Sequence, residues 1–260
     1  MEQPAKIIYD FGMNNGDDVA YYLTRADRVI AVEANTALCR EAEQRFSAEI
    51  AAGRLTILNV ALSAQASDVP LPFYIHRTNH VISQLPKPAA DQLHLFDEVL
   101  IEQETAEAII RRFGEAHYIK IDIEGCDQII LKGLLEAGIA PEFISAECHR
   151  AEVFCLLGAM GYRSFNIVDG PSVEDYGFPA HSAGPFGPDI PTSWYDLDAF
   201  FYRLGWEQLG WKDIHAAKSI NGKLTGIPAK TMGPSEHIRD FLPSFGRAFR
   251  RRLAHIRKSR

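Results

Sequence analysis

The stretch Tyr118–Leu134, YIKIDIEGCDQIILKGL, changes its periodicity part-way along. Tyr118, Ile119, Ile121 and Ile123 are the aromatic and β-branched types that suit a pleated, buried surface, so the stretch opens as a strand over 118–123. Gly125 marks a turn, and a helical pattern follows over 126–137. Asp122 and Glu124 fall where the strand ends. Carboxylates at the end of an apolar strand carry a desolvation cost unless something there uses them. Capping of the helix that begins near Cys126 is the structural alternative for Glu124 or Asp127.

The same strand–turn–helix unit recurs on both sides. KIIYDF (6–11), RVIAVEA (28–34) and RLTILNVAL (54–62) read as strands, with helices over 17–25 and 36–51 between them. Leu38, Ala42, Phe46 and Ile50 recur at four-residue intervals and give the second helix an apolar stripe. A strand at 72–76, a helix at 103–113, a strand at 143–148, a helix at 151–160 and a strand at 162–168 follow. Alternation of this kind implies a parallel sheet, because parallel neighbours need crossover connections. Residues 195–205 and 208–218 read as helical or mixed. The segment 170–195 is rich in Gly, Pro and aromatics, including Tyr176, Phe178, Phe186, Trp194 and Tyr195. A loop of that length reads as a lid or pocket wall, or as a small satellite core.

Composition narrows the class. The chain has 260 residues, 47% of them hydrophobic, which suits one α/β domain with an appendage. Its net charge of −7 argues against a dedicated nucleic-acid partner. From Arg239 onward eight Arg or Lys face one acid, a net of +7, so the remainder carries −14. The four cysteines lack CxxC spacing and read as free thiols in a reducing compartment. Neither a secretion signal nor a spanning segment is legible, so a cytoplasmic location is expected.

In an open α/β sheet, ligands bind outside the carboxyl ends of the strands. Those ends deliver Asp10, Gly12, Asn14, Asn15 and Gly16 from the first strand and Glu33 from the second. The third gives Asn59 to Ser63, the fourth Asp122 and Glu124, and the fifth Glu147 and His149. Gly12 and Gly16 permit a sharp turn and a close backbone approach. The loop is not a P-loop, and it lacks the full G-x-G-x-x-G of a dinucleotide site. Glu33 stands where an acid accepts hydrogen bonds from adenosine ribose hydroxyls. Together, loop and acid point to an adenosine cofactor.

YDFGMNNGDDVAYYL, VIAVEAN, LNVALS and YIKIDIEGCDQIILKGL resemble, in order and spacing, the motifs of the FkbM family of S-adenosylmethionine-dependent methyltransferases. SAGPFG and GWKDIHA are also similar to family segments, so the resemblance covers about residues 5–218. K-x-D-x-E-G, at Lys120–Gly125, is its most specific part. The resemblance implies a class I methyltransferase (Rossmann-like) α/β fold, a seven-stranded mostly parallel sheet with helices on both faces, over 1–219. It also implies S-adenosyl-L-methionine as cofactor. Asp10 and Gly12 to Gly16 would then lie beside its methionine part, Glu33 would hold the ribose, and Ala61 to Ser63 would flank the adenine. GMNNG and NHVISQL depart from the commoner family forms, the second where acceptor contacts are made.

The resemblance implies O-methylation of a hydroxyl on a sugar, glycolipid or secondary metabolite. Asp122 and Glu124 would face the sulfonium or orient the acceptor. A general base for an alcohol falls to His149, or to His181 in the long loop. A divalent metal on Asp122, Glu124 and Glu147 is a further reading, although nothing in the spacing demands it. The basic extension 220–260 places Phe241, Phe245, Phe249 and Leu253 on one helical stripe, which suits peripheral contact with an anionic membrane, packing on the acidic body, or a homodimer. A nicotinamide-dependent oxidoreductase and a non-catalytic scaffold are the rival readings. The missing G-x-G-x-x-G opposes the first. The retained loop, Glu33 and fourth-strand acids oppose the second.

Overall fold

A computed structural model of the chain describes residues 5–148, 151–170, 173–180, 182–204, 212–220 and 224–225. Its first strands are β1 (Ile7–Phe11), β2 (Arg28–Val32) and β3 (Leu55–Leu58). Between them lie α1 (Val19–Tyr22), α2 (Thr36–Arg45) and α3 (Ser47–Ala51). The helix expected over 36–51 is thus broken at Phe46, whose backbone leaves the helical region while its ring is buried. The strand expected over 54–62 is broken at Asn59, whose amide donates to the carbonyls of Glu33 (2.9 Å) and Ala34 (3.1 Å) and turns the chain away from the sheet. Residues 61–62 form β4 (Ala61–Leu62) in a separate pair with β7 (Gln103–Glu104).

β5 (Leu71–His76) pairs antiparallel with β6 (Phe96–Ile101), a strand the sequence reading passes over. Leu100 points to solvent (71% exposed) while Phe96 and Ile101 are buried, so its alternation is blurred. The second half comprises α4 (Ala106–Phe113), β8 (Ala116–Ile121), α5 (Asp127–Glu136), β9 (Phe143–Glu147), α6 (Ala151–Ala159) and β10 (Ser164–Asp169). β11 (Tyr195–Asp196), α7 (Leu197–Leu204) and β12 (Lys212–Ala217) close the described body.

The main sheet runs β11-β10-β12-β9-β8-β1-β2-β3. β9, β8, β1, β2 and β3 are parallel, and β12 is antiparallel to both its neighbours. Eight strands therefore replace the expected seven, the two-residue β11 being the addition. Residues 212–217 are a strand and correct the helical-or-mixed expectation for 208–218. Lys212, Asp213, Ala216 and Ala217 are types depleted in strands, but the slot between β9 and β10 fixes one, as tertiary packing overrides propensity.

Alternate residues feed two cores. Tyr9, Phe11, Ile30, Ile119, Ile121 and Ile144 face a core shared with α4, α5, α6 and α7. Ile8, Val29, Ala31 and Tyr118 face the other, shared with α1, α2 and the chain over 173–194. Phe186 stacks on Tyr118 at 4.0 Å, and Trp194 is buried in the same core. Asp18 accepts hydrogen bonds from Ser182 Oγ and Ala183 N–H and pins that segment to α1. Cys39, Cys126 and Cys148 are buried and Cys155 is exposed. Among the described residues no helix is long and apolar enough to cross a membrane. The basic tail from 226 onward, with its expected amphipathic stripe, lies outside the described residues.

Candidate active site

The turn after β1 is fixed by backbone geometry. The N–H groups of Gly12 and Met13 both donate to the Val32 carbonyl, at 3.0 and 2.9 Å. Gly12 has φ +89°, and a Cβ there would lie 1.8 Å from the Asp122 carbonyl oxygen. Only glycine lets β1 and β8 meet this closely. Asn14 follows in the left-handed region (φ +53°), and its N–H donates to Glu33 Oε2 at 2.9 Å. Glu33 Oε1 accepts from Asn35 N–H at 2.7 Å. Burial pushes the Glu33 carboxyl up, and these two backbone donors pull against it.

A buried polar row crosses the sheet beside this turn. Register places Asp10 beside Lys120, Lys120 beside Ser145, Ser145 beside His215 and His215 beside Asn166. All five side chains are buried. Lys120 Nζ donates to the Gly12 carbonyl at 2.6 Å and lies 3.4 Å from both Asp10 and Asp122. Burial opposes its charge, but Asp10, Asp122 and Asp18 outweigh burial and hold its pKa well above the usual range. Burial raises Asp10 to about 7 against the pull of Lys120. Burial also lowers His215, to about 3.

Asp122, Glu124 and Glu147 converge where β8 and β9 end. Each offers an oxygen, and the three oxygens lie within 4.8 Å of one another. Glu124 is a second left-handed residue (φ +46°), an uncommon conformation outside glycine. Burial and then the charge of Asp122 raise its carboxyl to about 7. Burial and Asp122 likewise raise Glu147, which sits opposite Asp213 in the β9–β12 pair.

These groups line one cavity of about 310 Å³. That volume falls in the range of small-molecule sites, roughly 300 to 1,000 Å³. Val32, Leu38, Val60, Leu62 and Phe73 supply its apolar walls. Residues 80–85 cover it, held by paired backbone hydrogen bonds between Tyr74 and Gln84 (2.9 and 3.0 Å).

Of the residues singled out from sequence, Gly12, Asn14, Glu33, Ala61, Asp122, Glu124 and Glu147 meet in this cavity. Three do not. Asp10 is fully buried behind the turn and serves Lys120. Gly16 packs under Phe46, 3.2 Å from where its Cβ would be. Ser63 faces a separate depression beside α4 and α5 and donates to Gln65 O at 2.8 Å. His149 and His181 lie outside the described residues. No described residue of 170–195 lines the cavity, and that segment's buried Phe186 and Trp194 belong to the main core on the α1 and α2 face of the sheet.

A family model for the methyltransferase FkbM domain matches residues 10–157. The chain belongs to the FkbM methyltransferase family. An FkbM methyltransferase structure from Methylobacillus flagellatus is similar at 17% identity, over 64% of this chain and 40% of its own, with a TM-score of 0.43. The chain thus spans well under half of that protein. An S-adenosylmethionine-dependent O-methyltransferase from Thermotoga maritima aligns at 13% identity over 84% of this chain and 61% of its own (TM-score 0.40). A precorrin-6y C5,15-methyltransferase from Geobacter metallireducens aligns at 11% identity over 82% and 80% (TM-score 0.40). No curated protein matches the chain.

As an FkbM domain the protein has the class I methyltransferase fold, and its cavity can be tested against the family's cofactor. Glu33 is partly open to the cavity beside the apolar walls. Asn14 Oδ1 is buried without a hydrogen-bond partner, an orphan acceptor on the cavity lining. An acid for ribose, an apolar slot for adenine and a free acceptor for an ammonium fit S-adenosylmethionine. Sequence reasoning missed Lys120 and Phe73, and it reached the segment at 80–85 only through the family resemblance of NHVISQL. Lys120 carried a signal: a lysine among isoleucines in a central strand demands acid partners, and buried Asp10 and half-buried Asp122 are those acids.

Proposed function

We propose that this FkbM domain is an S-adenosylmethionine-dependent methyltransferase acting on a hydroxyl oxygen of a sugar, glycolipid or secondary metabolite. The observation that carries the reading is one cavity with Glu33 among aliphatic walls at one end and the carboxylates of Asp122, Glu124 and Glu147 at the other. S-adenosylmethionine, when bound, supplies an electrophilic methyl group.

The chain's own residues do the rest. Glu33 spends one lone pair of each oxygen on Asn14 and Asn35, and a carboxylate has about four acceptor sites, so capacity remains for two ribose hydroxyls. Ala61 and Leu62 wall the base, and Asn14 Oδ1 accepts from the amino group. At the other end Asp122, steadied by Lys120, and Glu124 accept hydrogen bonds from acceptor hydroxyls. Holding an oxygen in line with the methyl supplies much of the rate in such a displacement. A carboxylate raised to about 7, as Glu124 is, suits uptake of a hydroxyl proton near neutral pH.

The test is incubation with S-adenosylmethionine and a panel of nucleotide sugars and glycolipids, with the product mapped by NMR. A new O-methyl resonance is the expected result. A methyl on nitrogen or carbon would overturn the acceptor class.

A further inference from the structure

The carboxylate end holds more acid than a hydroxyl acceptor requires. Asp122, Glu124 and Glu147 bring three oxygens within 4.8 Å, from two strands and a strained turn. Asp127, first residue of α5, stands behind them. It is 1% exposed, and neither of its carboxylate oxygens has a hydrogen-bond partner. The N–H groups of Asp127 itself and Ile123 lie near it without reaching hydrogen-bond geometry. Asp122 exerts the strongest charge upon it, and Asp127 in turn acts on Glu124 and Glu147. A buried, unpartnered carboxylate carries a large desolvation cost, which positive charge among the neighbouring acids would offset.

We propose that Asp122, Glu124 and Glu147 bind one hard divalent cation of the magnesium or manganese kind. Asp127 adds charge to the site from behind. Oxygens on one face of an octahedral ion at about 2.1 Å lie about 3 Å apart, so the three side chains, whose oxygens lie within 4.8 Å of one another, close by a rotamer-scale movement to hold it. An all-carboxylate set favours magnesium, manganese or calcium over softer metals. The three ligands come from one side, which leaves coordination positions open toward the cavity. An acceptor with adjacent oxygens fills them, so the proposal names a substrate class: a vicinal diol or an equivalent oxygen pair. That role rests on the methyltransferase reading, whereas binding of the ion does not.

The full chain is titrated with manganese chloride, and free Mn²⁺ is followed by electron paramagnetic resonance. S-adenosylmethionine is titrated separately in the presence of a chelator. One Mn²⁺ per chain is expected, weakened roughly tenfold or more in Glu147→Gln and in Glu124→Gln, since even outer-shell changes cost that much. Glu124 is partly exposed, so its variant keeps the test valid where Glu147→Gln fails to fold. No bound Mn²⁺, or binding that neither substitution weakens, overturns the site. S-adenosylmethionine binding without Mn²⁺ binding sinks the ion and leaves the methyltransferase reading standing. Mn²⁺ binding without S-adenosylmethionine binding does the reverse.

Discussion

The two ends of the cavity are built from opposite materials. At the Glu33 end both carboxylate oxygens are met by backbone N–H groups, the walls are aliphatic, and β2 lies against an apolar core. At the Asp122 end, acids crowd together, and a buried polar row runs behind them from Asp10 through Lys120 to His215 and Asn166. The first end is held by main chain and the second by side-chain charge. Substitution should therefore break the first through geometry and the second through electrostatics.

Gly12 joins the two ends and gives the largest expected effect. Gly12→Ala puts a Cβ into the Asp122 carbonyl and should cost more than about 4 kcal/mol in urea unfolding, the range that marks a backbone clash. Gly125→Ala is the comparison: φ is +78° but nothing lies within 4 Å of its Cβ, so about 1 kcal/mol is expected. Equal losses would refute the close-approach account of Gly12.

Lys120→Met comes next. Removing one partner of a buried ion pair costs about 3 to 5 kcal/mol. The double variant Lys120→Met, Asp10→Asn should recover much of that loss. No recovery would mean that Lys120 acts through packing alone.

His215 gives a smaller effect that depends on pH. Its folded pKa is depressed to about 3, so below pH 6.5 the unfolded chain binds a proton that the folded chain refuses. Stability from this group is complete above pH 6.5 and falls by about 1.4 kcal/mol per unit below it. The raised pKa of Asp10 acts in the opposite sense, so the readout is a difference. His215→Asn should show a shallower acid slope by that amount between pH 6 and 4, and identical slopes would contradict a neutral His215. Smallest of all is Ser63→Ala. With its hydroxyl turned to Gln65 O outside the cavity, S-adenosylmethionine affinity should change less than about twofold, well under the 1.4 kcal/mol of a tenfold change.

The contrast also explains what could be read in advance. Glu33, Gly12 and Asn14 were legible because strand ends and turn chemistry are local. The alternation of strands and helices was legible for the same reason. Gly16 and Asp10 sit in the same motif but serve packing and an ion pair, and one-dimensional spacing does not separate those duties from cofactor contact. The segment at 80–85 was flagged only by its resemblance to a family segment; its place over the cavity was illegible because it depends on β5 pairing with β6, a contact across about twenty to thirty residues with a weak alternation signal. β12 was misread because the slot between β9 and β10 makes it a strand against the low strand propensity of its alanines.

Calorimetric titration with S-adenosylmethionine, of the intact chain and of Glu33→Ala, tests the central claim most directly. Two lost hydrogen bonds from a carboxylate, each contributing about 1.5 to 3 kcal/mol, predict binding to the intact chain and a loss of tens-fold or more in the variant. A folded Glu33→Ala protein that binds as tightly as the intact chain, or an intact chain that binds no S-adenosylmethionine, would contradict it.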